Sequence, residues 1–239
     1  MSASSSYTPH LWYEPAAKSS DKLWLLIGFL LAAVPLTLNG FYIEYIFRIT
    51  DLFWPFDILN HVVLPALGIT LILKKTKFTV KNIGLGAPKT VQAMNLLILG
   101  TVLSLFLSEP IYHNTFQSAQ LNYPEFRPAI QFNYSQTLPD TGLLLLLCAC
   151  YISVTAGVVE EIFFTAIPKL FFKTDILGSC LYVVISAFLF SLIHWEGGLW
   201  QLHATFAFGV FTSVVYLFSR SIIPCIIGHF WVDWIIFSH

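Results

Sequence analysis

The sequence predicts an all-α, polytopic transmembrane bundle of about seven spans with a cytoplasmic N-terminus. Three observations carry this. The 239 residues are 56% hydrophobic and 10% charged, far below the roughly 25% charge of a soluble domain. Apolar runs recur, most near the roughly 20 residues that cross a bilayer core. Ten of the twelve Lys and Arg residues then fall on one side of the alternating loops, and the positive-inside rule makes that side cytoplasmic.

The N-terminus (1–22) is polar, with Ser4-Ser5-Ser6 and Pro9, and reads as a flexible tail. It lacks the basic start and small-residue cleavage site of a signal peptide. Residues 23–239 form a single transmembrane domain. The first span is Leu23 to about Asn39, continued by an aromatic interface at Phe41–Phe47. The second is Phe53–Leu73, bent near Pro65. The third is Val91–Leu107, the fourth Thr141–Phe172, the fifth Ile176–Trp195, the sixth Leu199–Phe218 and the seventh Ile222–Phe237. The fourth is too long for one crossing, so it must tilt, break near Gly157 or leave the membrane. Lys74 to Lys89 is a short cytoplasmic connection with turn signals at Asn82 to Gly86. Pro110 to Pro139, with four prolines and many aromatics, is a long outer loop, of a length that suits a surface segment or a lid. Cys148, Cys150, Cys180 and Cys225 form no C-x-x-C pair and read as small buried hydrophobes.

The polar residues inside these spans carry the functional argument. Glu160 and Glu161 sit in an apolar run without a basic residue from Leu143 to Lys169. Each charge at the centre of a membrane helix costs about 2.5–3.5 kcal/mol on insertion scales, so an intramembrane carboxylate reads as a functional site. Span five ends in Phe190-Ser191-Leu192-Ile193-His194, and span seven holds His229-Phe230-Trp231-Val232-Asp233. His229 and Asp233 share a helix face, where Asp233 can orient the imidazole. Measured along helices from the turns at Thr174 and Arg220, Glu160 lies about 21 Å, His194 about 30 Å and Asp233 about 20 Å deep. These depths allow the four residues to converge. Most other polar residues have plainer readings. His61 suits interhelical packing despite Asp57 four residues earlier, and Glu109 and His113 sit at a boundary facing water.

Glu-Glu-x-x-x-(Arg), then Phe-x-x-x-His, then His-x-x-x-Asn/Asp, on apolar helices in this order, resembles the CPBP family of intramembrane endopeptidases, which includes CAAX prenyl endopeptidases and bacteriocin-processing relatives. The resemblance runs from about Leu143 to Phe237, giving a catalytic-like core at 141–237. It implies a glutamic-type protease in which Glu160 with His194 activates a water, and His229 with Asp233 stabilises the oxyanion. The physics suits these roles, because a carboxylate in a low-dielectric site is a stronger base than one in water and a donor aimed at developing charge lowers the barrier. One position departs from the pattern: Thr165 stands where the family has arginine. Glu161 then needs another partner, and His203 in span six is the candidate.

The resemblance implies a membrane-associated protein or peptide as substrate, with CAAX-like, leader and C-terminal-tail processing all open. It implies no cofactor. No basic stripe points to nucleic acid. The other partner is the lipid bilayer, of a prokaryotic plasma membrane by the chain's small size. Three alternatives come from the same residues. Glutamate plus two histidines is a legitimate zinc set, although no H-E-x-x-H is present. Thr165 gives weight to a non-catalytic immunity or scaffold protein. The carboxylates also suit a proton-coupled transporter, but the two halves show no paired discontinuous helices.

Overall fold

The computed structural model describes residues 17–41, 53–126 and 137–238. These residues fold into helices, with no strand among them. In chain order they are α1 (Ser19–Phe41), α2 (Phe53–Lys75), α3 (Val91–Asn122), α4 (Gly142–Lys169), α5 (Ile176–Leu192), α6 (Gly198–Ser219) and α7 (Ile223–Phe237). Five of them, α1, α2, α3, α4 and α6, are long and apolar enough to cross a membrane, whereas α5 and α7 are shorter apolar helices. This is a polytopic helical bundle, and each predicted span coincides with one helix. The tail up to residue 16, most of the aromatic interface at 41–47 with Arg48, and Arg127, Pro128 and Phe132 to Ser135 of the outer loop lie outside the described residues.

Three expectations are corrected. First, α3 does not end near Leu107 but runs through Pro110 to Asn122. A proline inside a helix removes one backbone bond, and packing of α3 along α6 and α7 carries the helix past it. The first part of the expected outer loop is therefore helical. Second, α4 does not break at Gly157. There a Cβ would stand 3.3 Å from the Ile226 carbonyl oxygen and the Phe230 nitrogen of α7, so the glycine serves close helix approach. Third, the cysteines are not uniformly buried: Cys225 is, Cys148 and Cys150 are partly so, and Cys180 is exposed on the apolar exterior.

The irregularity in α4 comes later, as a π turn at Glu161–Ala166 closed by the Ile167 N–H on the Ile162 carbonyl. A second π turn, Leu59–Val63, interrupts α2 and is closed by the Leu64 N–H on the Leu59 carbonyl. In both helices the residue that closes the π turn is followed at once by a proline, Pro168 or Pro65. Proline has no N–H to continue the regular ladder, so the turn widens just before it. In α4 the Phe164 carbonyl, four residues before Pro168, is taken instead by the Ser186 hydroxyl of α5. The neighbouring Thr165 carbonyl accepts from the Tyr182 hydroxyl at 3.0 Å. The π turn is thus locked to α5 by two side-chain donors, which satisfies backbone groups that no water reaches.

α1 packs on α2, α4 on α7, α5 on α6, and α3 against both α6 and α7. The connection between α2 and α3 is also docked. The Gly84 carbonyl accepts from the Ile222 N–H at 3.2 Å and from the Ser221 hydroxyl at 3.1 Å, which ties it to the α6–α7 turn. Gly84 has φ +81°, and a Cβ there would lie 2.8 Å from the Ile222 nitrogen. Gly84→Ala is therefore expected to lower stability by more than about 1 kcal/mol, read as a lower thermal midpoint in nanodiscs.

Candidate active site

Glu160 is the last residue of the regular part of α4, and Glu161 opens the π turn. Both are buried, with 7% and 0% of their surfaces exposed. Neighbouring residues on a helix point about 100° apart, and the two carboxylates diverge accordingly. Glu161 Oε1 meets His229 Nδ1 of α7 at 3.1 Å. Glu160 Oε2 lies 3.6 Å from His194 Nε2 and 3.9 Å from His229 Nε2. It makes no hydrogen bond within the protein.

The histidines reach these positions by different local devices. α5 stops at Leu192, and a turn follows in which the His194 N–H bonds to the Ser191 carbonyl. His194 thus leaves the helix axis instead of extending it, and its Nδ1 donates to the Phe190 carbonyl at 2.9 Å. That bond fixes the tautomer and leaves Nε2 towards Glu160. His229 lies within α7, and a carboxylate at its Nδ1 likewise leaves Nε2 facing Glu160. Phe190 packs against both rings, at centroid distances of 5.2 Å to His194 and 5.5 Å to His229. Phe208 of α6 lies 5.2 Å from the His229 ring. Phe190 thus touches both imidazoles, whose Nε2 atoms face Glu160. All three groups line a cavity of about 930 Å³.

Residues 142–235 match the family described as Type II CAAX prenyl endopeptidase Rce1-like.

The match spans α4 to α7 almost entirely, and these are the helices whose motifs resemble the intramembrane endopeptidases. The matched family is one of proteases. With five apolar helices, it makes the chain an integral membrane protein. No curated protein and no solved structure matches the chain.

Within the Rce1-like segment, Asp233 stands beside His229 on one face of α7, its Oδ2 3.6 Å from Nε2 on the same edge as Glu160, while Glu161 takes Nδ1. One expected pairing is corrected: His203 does not partner Glu161. The face of α6 that enters the bundle carries Ala204, Thr205 and Phe208, and His203 turns away from it. It is exposed, with Nδ1 on the Leu199 carbonyl and its ring stacked on Tyr123. Thr165 is fully buried in the π turn among Phe163, Phe164 and Ala166, and its hydroxyl has no hydrogen-bond partner. Among the described residues, no group of three His, Cys, Asp or Glu side chains is arranged to hold a metal ion.

The cavity also takes residues from the first three helices, outside the matched segment. His61 and Asp57 of α2 line it, with His61 Nδ1 3.0 Å from Asp57 Oδ1. Asn39 of α1 lines it as well, its side-chain oxygen accepting from the Asn60 amide at 3.2 Å. Tyr112 and His113 of α3, read from the sequence as a loop residue and a water-facing one, also lie on its wall, and the Tyr112 hydroxyl bonds to Gln201 at 2.9 Å. A signal for the α3 residues is present in the sequence. Tyr112, His113, Phe116, Gln117 and Gln120 fall at helical spacing, and only Pro110 argues against reading them as one face.

Proposed function

We propose that this chain is an intramembrane endopeptidase of the glutamic type, hydrolysing a peptide bond in a membrane-associated protein or peptide. The observation that carries the proposal is Glu160 Oε2, free of protein hydrogen bonds and facing the Nε2 atoms of two histidines across 3.6 and 3.9 Å. Polar contacts of this length suit an intervening water. In this mechanism Glu160 and His194 hold a water between them. Its oxygen attacks the scissile carbonyl carbon while its proton passes to Glu160. His229, turned by Glu161, donates from Nε2 to the oxyanion, and Asp233 beside that nitrogen stabilises the charged ring. Collapse of the intermediate breaks the C–N bond, and Glu160 returns the proton to the leaving nitrogen.

CAAX-like tails, leader peptides and C-terminal tails all fit this chemistry. The distribution of basic residues supports a cytoplasmic N-terminus. Thr165 favours a second reading, a diverged member that binds such segments without cutting them. The discriminating experiment uses the full chain in lipid nanodiscs with a library of synthetic acylated peptides, read by mass spectrometry. Cleavage by wild type that is absent with Glu160→Gln supports the protease. No cleavage by wild type, or equal cleavage by both, overturns it.

A further inference from the structure

α2 brings a second buried polar group to the chamber. Asp57 and His61 are 3% and 7% exposed, and both line the cavity that holds Glu160. His61 lies in the middle of the α2 π turn, as Glu161 opens the one in α4. π turns inside helices recur at functional sites, and here the one in α2 carries His61 into the chamber, while the one in α4 begins directly after the cavity-lining Glu160. His61 Nδ1 lies 3.0 Å from Asp57 Oδ1, an ion-pair contact without hydrogen-bond geometry. An ionised Asp57 favours the ring proton on that nitrogen, leaving Nε2 as a hydrogen-bond acceptor towards the cavity.

The same wall holds a second supported pair. Asn60, next to His61, donates to the Asn39 side-chain oxygen. Asn39 lines the cavity with its amide group still able to donate. Two groups lining one cavity, an acceptor and a donor, therefore each have a buried polar neighbour. Asn39 and Asn60 are 3% and 2% exposed. Among the described residues that line the cavity, none is Lys or Arg, so this wall offers hydrogen bonds without a permanent positive charge. An extended peptide entering such a chamber leaves water, and each backbone N–H and C=O then needs a partner. An acceptor and a donor facing one chamber are the two kinds of partner that a peptide main chain requires.

We propose that Asn39 and His61, held by Asn60 and Asp57, form a main-chain recognition strip that docks the substrate peptide. His61 Nε2 accepts a peptide N–H, and the Asn39 amide donates to a peptide carbonyl. The inference rests on the endopeptidase reading for the identity of its ligand, but it can fail separately.

The test uses the full chain in nanodiscs and the best-cut peptide of the acylated library. His61→Ala is expected to raise KM about tenfold with little change in kcat, the effect of losing one hydrogen bond in a site closed to water. A fluorescein-labelled copy of that peptide should bind Glu160→Gln more tightly than Glu160→Gln/His61→Ala by a similar factor. An unchanged KM, or a fall in kcat alone, overturns the strip. Should His61→Ala not insert, Asp57→Asn keeps the side-chain volume while releasing the ring; it should also raise KM, and an unchanged KM counts against the proposal. If wild type cuts nothing, the protease reading fails, and the strip is judged by retention of the labelled library on Glu160→Gln with and without His61→Ala. Equal retention then overturns it.

Discussion

Glu160→Gln is expected to lower the hydrolysis rate by roughly 10²- to 10⁴-fold while leaving the protein folded. Glutamine keeps the volume of the side chain and can still sit between His194 and His229, but it cannot take a proton from water. Glu160 has no hydrogen-bond partner within the protein on Oε2, so the substitution breaks no structural bond there. Single-turnover assays in nanodiscs, paired with thermal unfolding, separate the two effects. A variant that folds and cuts at the wild-type rate removes Glu160 from the chemistry. A variant that unfolds instead assigns it to structure.

Glu161→Ala is expected to do the opposite in kind, costing about 3–5 kcal/mol of stability because it leaves the other member of a buried pair without its partner. Glu161 is fully buried, and its Oε1 is the acceptor for His229 Nδ1 at 3.1 Å. Without it the imidazole loses both a hydrogen bond and the carboxylate that orients its ring, so activity should fall together with the thermal midpoint. Glu161→Gln retains an oxygen for Nδ1 and should lose less of both. Equal stability of Glu161→Ala and wild type would show that the pair is not the anchor of α7 on α4.

The order of the helices is legible in the sequence because long apolar runs between clusters of basic residues have few other uses. The residues around Glu160 are legible for a related reason: ionisable groups stand out against an apolar background, and their depths follow from counting residues along helices. The finer pairings are not legible, because the sequence does not say which face of α6 enters the bundle. His203, named as a partner for Glu161 because Thr165 replaces the arginine, turns outward, and Glu161 meets His229 instead. Pro110 misleads in a different way. It reads as the end of α3, yet interhelical packing carries the helix on to Asn122 and brings Tyr112 and His113 to the chamber. His61 is hidden by its ordinariness, since a single membrane histidine is usually a packing residue.

The central claim is that this chain cuts membrane-associated proteins through Glu160. Its most direct test compares wild type with Glu160→Ala in the source cell, by mass spectrometry of membrane proteins. A small set of proteins that keep a leader or C-terminal segment only in the variant is the predicted result, and it would name the substrates. Identical processing in both strains, with the variant inserted and folded, would contradict the claim and leave a membrane protein that binds such segments without cleaving them.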